Sequence, residues 1–302
     1  MSVDGLNENF SFSDENTLIK FKMGEGNIPV VTIKNNKATA LISLQGAHIL
    51  SWKPVGNDEV IWLSSNATFA IGKSVRGGIP VCWPWFGAHE SDSSFPAHGF
   101  ARTVLWDVID TKINSSGETE ITFRLTTIEL EQNLQNMWPQ ATIVEYKISV
   151  GEKLTMELKT FNKSDKSIEI GQALHTYFEI DDVSNTVVHG LEGKNYLDKT
   201  EQFISKIQDG PITIEGEVDR VYLDTTDDIT IDDKIRKILI KKQGSQSTVV
   251  WNPWKEVAEK MGDLGNKGYQ KMLCVESANA ADDVITIMPG ENYSLIVSYE
   301  IL

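Results

Sequence analysis

A period of two residues runs through this chain and limits what it can fold into. ATALISL (38–44), ETEITFRLTT (118–127), TIVEYKISV (142–150), KLTMELKTF (153–161) and YSLIVSYEIL (293–302) each set β-branched or apolar residues against polar ones. Side chains of a strand point alternately to opposite faces, so this alternation marks strands with one face in a core and the other toward water. Turn-forming clusters separate them, at NSSGE (114–118), GEK (151–153), NKSDK (162–166) and PGEN (289–292). Helical periodicity is scarce, confined to TIELEQNLQNMW (127–138) and KEVAEKMG (255–262). With no Gly/Ser-rich linker and no internal repeat, the pattern predicts a mainly β protein. The expected architecture is a large antiparallel β-sandwich forming a single domain over residues 1–302.

Composition narrows the function. The chain has 302 residues, of which 40% are hydrophobic, enough for a sizeable core. No run of about 18 apolar residues occurs, so no membrane-spanning helix and no membrane partner are expected. The start, MSVDGLNENFSFSDEN, lacks the cationic region and apolar run of a secretory signal. The two cysteines, Cys82 and Cys274, lie far apart and form neither a disulfide framework nor a metal motif. A reducing, cytoplasmic setting is expected. The formal net charge of -15 makes nucleic acid and anionic membrane surfaces poor partners, and neither is expected. A small anion remains possible if cations gather locally. Between positions 72 and 102, Lys73, Arg76 and Arg102 stand against Glu90 and Asp92, a positive island in an acidic chain.

That island contains SVRGGIPVCWPWFG (74–87), in which two prolines and a Gly-Gly pair forbid a helix. The stretch is expected to be extended or loop-like and to aim Arg76 into a pocket. Arg102 lies in PAHGFARTVLW, another stiff turn. Either arginine could be a solvated surface charge, yet two guanidinium forks match a phosphate dianion. The aromatics Trp83, Trp85, Phe86, Phe95 and Phe100 fit a core and also a platform for sugar CH groups. GKS at 72–74 is no phosphate loop, because Ala67 stands where the turn glycine is required and no helical pattern follows.

Further along, His175 in IEIGQALHTYFEI shares a strand face with Ala173, Tyr177 and Glu179 if the alternation holds. An imidazole held on a strand suits a general acid as well as a structural role. Glu276 in KMLCVESANA shares its face with Met272 and Cys274. It is either a strand-end carboxylate facing water or a partly buried base. Asp219, in the DRVY that closes a loop, could bind sugar hydroxyls, pair with Arg220 or start a turn. His98 is the other histidine of interest.

Seven segments, in order from about residue 30 to 300, together resemble the hexose-6-phosphate mutarotases of the aldose 1-epimerase superfamily. They are QGAHILSWKP (45–54), RGGIPVCWPWFG (76–87), PAHGFAR (96–102), ALHTYF (173–178), DRVY (219–222), WNPW (251–254) and CVESA (274–278). The resemblance implies a galactose-mutarotase-like supersandwich acting without cofactor or metal on a small phosphorylated hexose such as glucose 6-phosphate; a monomer is expected. It implies His175 as general acid and Glu276 as general base. Arg76 and Arg102 would hold the phosphate, Asp219 would bind the sugar, and His98 would line the pocket near the anomeric carbon. Some relatives carry glutamine where this chain has Ala97, so a contact made by that side chain is absent here. Two other classes fit parts of the pattern. A glycoside hydrolase normally needs two carboxylates at the cleavage point, and a non-catalytic sugar-binding protein has no reason to keep both His175 and Glu276.

Overall fold

The computed structural model describes residues 1–265 and 267–302. All five alternating segments are strands. Three of them, Thr119–Thr126, Thr142–Val150 and Lys153–Asn162, lie side by side with Asn292–Ile301 in a nine-stranded sheet. Their alternation reads directly as burial: Val144, Tyr146 and Ile148 are fully buried, as are Leu154, Met156 and Leu158 on the neighbouring strand. The predicted turn clusters NSSGE and GEK join consecutive antiparallel strands of this sheet. Ala38–Ser43 belongs to a five-stranded antiparallel sheet running from Phe12–Ser13 to His48–Pro54. The predicted helical stretches appear as Gln132–Met137, preceded by a short 3-10 turn, and as Trp254–Met261. One helix, Val3–Phe10, is not anticipated by the sequence pattern. None of the described helices is long and apolar enough to cross a membrane.

The residues singled out above gather on an eight-stranded sheet. Its middle is formed by Val218–Tyr222, Ser247–Asn252, Met272–Asn279 and Gln172–Leu174, with Tyr177–Glu179 also pairing to Met272–Asn279. The large core, drawn from all three big sheets, receives Val218, Tyr222, Val250, Leu273 and Val275. The intervening residues turn the other way. Val221, Val249 and Ala278 form one small cluster there, and Met272, Cys274 and Tyr177 another. Met272–Asn279 is therefore buried on both faces, which is why its sequence mixes apolar residues with small ones instead of alternating with charges.

Candidate active site

Cross-strand register brings the key residues into two adjacent rows on the outer face of this sheet. Asp219 lies opposite Trp251, Trp251 opposite Cys274, and Cys274 opposite Tyr177. In the next row Val221 faces Val249, and Val249 faces Glu276. Glu276 is thus central, not at a strand end. His175 corrects the expectation of a continuous strand. The strand stops at Leu174 and resumes at Tyr177; between them His175 N–H donates to the Pro80 carbonyl and Thr176 N–H to that of Leu174. Register survives the break, since Leu174 pairs with Ser277 and Tyr177 with Cys274, which leaves His175 beside Glu276. DRVY likewise lies in a strand, Val218–Tyr222, and does not close a loop. Its alternation sends Asp219 to the cavity while Arg220 bonds Gln208 and Tyr222 and packs over the Tyr196 ring.

These rows floor a cavity of about 280 Å³ that holds all six residues singled out from the sequence: Arg76, His98, Arg102, His175, Asp219 and Glu276. His175 Nε2 is 3.4 Å from Glu276 Oε1, with the carboxylate side chain only 1% exposed. The other atom of each group, His175 Nδ1 and Glu276 Oε2, is buried without a hydrogen-bond partner among the described residues, and so is Asp219 Oδ1. Buried polar atoms are rarely left unpaired, and three of the six such atoms among the described residues belong to side chains lining this cavity, which suits it to a polar ligand. Burial pushes the Glu276 carboxyl well above its ordinary value, with Lys199 acting in the opposite sense. Burial also lowers the His175 imidazole well below its own, assisted by His98, Arg102 and Arg76. Both shifts favour the neutral forms.

The cations arrive on glycine-rich turns. Gly77 and Gly78 have φ of 104° and 73°. A Cβ on Gly78 would sit 2.2 Å from His48 Nε2, so only glycine fits there. His48, incidental in sequence, is fully enclosed and bonds the Gly77 carbonyl at 2.8 Å, bracing the turn that carries Arg76. Arg76 donates from Nε to Asp263 at 3.1 Å and from Nη1 to the Tyr177 hydroxyl at 3.0 Å. Burial opposes its charge, but Tyr177 and Asp263 more than offset this and hold the guanidinium firmly ionised. Arg102 donates to the carbonyl of Ala97 at 2.8 Å, so the backbone of that position orients the arginine. His98 takes a left-handed φ of 68°. Its Nδ1 accepts from Gly87 N–H at 3.3 Å, which places the ring hydrogen on Nε2. Burial and then Arg102 lower its pKa to about 3, so it stays a neutral donor.

Sequence reasoning missed Lys199, Asp263 and Trp251 as wall residues. Lys199 Nζ lies 2.6 Å from Asp219 Oδ2, and burial raises the Asp219 pKa against the pull of this lysine. Nothing local in DKTE or MGDLG signals a pocket. Among the five aromatics weighed as a platform, only Phe86 lines the cavity; Trp83 and Phe100 are core, and Trp85 stacks on Phe95.

Comparison with known proteins gives the family and the fold. Residues 29–300 match the family model described as aldose 1-epimerase. A protein of Escherichia coli K12 named "Putative glucose-6-phosphate 1-epimerase" is 36% identical over 258 residues, covering 84% of each chain. The crystal structure of a "putative mutarotase" from Salmonella typhimurium superposes with a TM-score of 0.85 at 28% identity, over 99% of this chain and 98% of that one. A galactose mutarotase related enzyme from Lactobacillus acidophilus shares the fold at a TM-score of 0.68 and 16% identity, over 90% of this chain and 97% of its own.

Proposed function

This chain belongs to the aldose 1-epimerase family, and on that premise we propose that it interconverts the α and β anomers of a hexose 6-phosphate, glucose 6-phosphate foremost. The observation that carries the reading is one cavity holding an imidazole 3.4 Å from a buried carboxylate together with two arginines. Anomer exchange needs a base at the C1 hydroxyl and an acid at the ring oxygen, and no cofactor. The Glu276 carboxylate takes the O1 proton as the C1–O5 bond breaks, and the His175 imidazolium gives its proton to O5. The open aldehyde turns about C1–C2 and closes on its other face, with the two groups exchanging roles. One proton is shared by the pair throughout. Ring opening converts the ionic pair into the neutral pair, the form that burial of both groups favours.

Binding is divided by chemistry. Arg76 and Arg102 hold the 6-phosphate, remote from C1, so that the anomeric carbon is free to turn. Asp219 accepts from ring hydroxyls, held by Lys199, and His98 donates from Nε2 near the reacting end. The unpartnered oxygens and nitrogen of Asp219, Glu276 and His175 find their partners in the sugar. A glycosidase reading is less favoured. The other cavity carboxylates, Asp219 and Asp263, are each bound to a cation. The chain is read as a single domain, supported by a core that extends from Leu6 to Tyr299, and as a monomer.

The test is exchange NMR or polarimetry on fresh α-glucose 6-phosphate with and without protein, and with Arg76→Ala. Faster exchange is expected, and the variant should lose far more on glucose 6-phosphate than on glucose. Sugar affinity with no exchange would leave only a binding protein, and equal losses on both sugars would remove phosphate recognition.

A further inference from the structure

Tyr177 occupies an unusual place between the two halves of the site. Its ring stacks on His175, with centroids 5.0 Å apart and planes 9° from parallel. Trp62 is also stacked on it, at 5.9 Å and 23°, and Trp251 meets it edge-on at 5.9 Å. Its hydroxyl accepts the Arg76 Nη1 hydrogen at 3.0 Å. The backbone strengthens the tie: Tyr177 N–H donates to the carbonyl of Gly78, in the turn that presents Arg76, and Trp62 N–H donates to the Tyr177 carbonyl. One rigid aromatic side chain therefore touches both the imidazole and the guanidinium.

The guanidinium is also oriented from its other edge. Asp263 takes the Nε hydrogen at 3.1 Å. A guanidinium has five N–H donors. With Nε and one Nη1 hydrogen committed, three hydrogens remain for an anion, one on Nη1 and two on Nη2. Arg76 donates to the phenol, so the phenolic hydrogen itself is left to donate to an anion held there.

We propose that Tyr177 is a positioning residue that couples anion binding at Arg76 to the placement of His175, so that a bound phosphate dianion accelerates ring opening as well as anchoring the sugar. The inference rests on the function proposed above. A dianion at the fork fixes Arg76, the Nη1 bond fixes the phenol, and the stacked phenol leaves the imidazole one orientation. Interaction energy from a group remote from C1 is thereby spent on geometry at the reacting atoms.

Cutting the substrate in two tests this. D-Xylopyranose is glucopyranose without its sixth carbon, and phosphite dianion supplies the missing anion. Anomer exchange of xylose is followed by NMR at increasing phosphite, and exchange in matched phosphite solutions without protein is subtracted. Phosphite is expected to raise kcat/KM for xylose saturably, by about tenfold or more if one charge-assisted hydrogen bond is gained in positioning. Tyr177→Phe keeps the ring stack and loses the hydroxyl, and should abolish most of the activation measured at saturating phosphite. Asp263→Ala, at a partly exposed position, removes the acceptor of the Arg76 Nε hydrogen, should also lower the activation, and serves should the first variant fold poorly. Full activation in either folded variant overturns the proposal. So does phosphite that competes with glucose 6-phosphate on the wild-type protein yet does not accelerate xylose; phosphate recognition would then survive without the coupling. Phosphite that neither competes nor accelerates, with glucose 6-phosphate exchanged no faster than glucose, refutes the phosphate reading itself.

Discussion

Replacing Glu276 by Gln separates catalysis from folding at the centre of the site. The side chain is 1% exposed and the exchange leaves its volume almost unchanged, so packing around it is preserved. An amide cannot take the O1 proton. A positioned general base contributes about 10²–10⁴-fold, equivalent to roughly 3–5 kcal/mol of barrier at about 1.36 kcal/mol per tenfold. Loss of turnover on that scale is expected for glucose 6-phosphate exchange measured by NMR, with KM changing far less. Stability should move the other way. Burial holds the Glu276 carboxyl well above its ordinary value. As pH rises past about 4.3, the unfolded chain releases this proton and the folded chain keeps it. Folded stability contributed by this group therefore declines with rising pH until the raised value is passed. The side-chain amide of Glu276→Gln has no such proton to lose. The unfolding free energy of the variant, relative to wild type, should rise across that interval, by up to about 1.4 kcal/mol for each pH unit crossed. Turnover within about tenfold of wild type would refute the base assignment. A variant that loses ground as pH rises would mean that Glu276 is stabilised as a carboxylate, by His175 or otherwise, and the burial argument would fail.

Two further outcomes follow from the same geometry. The pair is productive while it shares one proton, from the lowered His175 value up to the raised Glu276 value. The kcat/KM profile should therefore lack a histidine inflection near about 6.5, the ordinary histidine value, and fall both in more acid solution, below the lowered His175 value, and in more alkaline solution, above the raised Glu276 value. It should be measured on free glucose, because a phosphomonoester itself titrates near about 6; a clear inflection at the ordinary histidine value contradicts the burial of His175. Gly78→Ala would drive a Cβ to within 2.2 Å of His48 Nε2 at a φ of 73°, and should cost about 3 kcal/mol or more in urea unfolding. An unchanged midpoint would show that the turn carrying Arg76 relaxes freely.

Local chemistry determined a good deal. Alternation at 142–150 and 153–161 sufficed to name strands and their buried faces, because a strand's two-residue period is a property of the backbone and needs no partner. The prolines and glycines of 74–87 excluded a helix for the same reason, and the ordered set of motifs pointed to the family and to six residues that line one cavity. Tertiary structure decided the rest. His175 lies in a two-residue gap that no alternation announces, kept opposite Glu276 by register on both sides. Asp263 meets Arg76 across 187 positions of chain, and Lys199 meets Asp219 from the end of a different strand. His48, which reads as incidental, braces the glycine turn. Burial raised one acid and lowered one base, and a string of residues carries no information on burial at a given side chain until distant strands close over it. Which residues share a face is a local matter; which faces enclose the same small volume depends on how the sheets pair, and that is set by the packing of the whole chain.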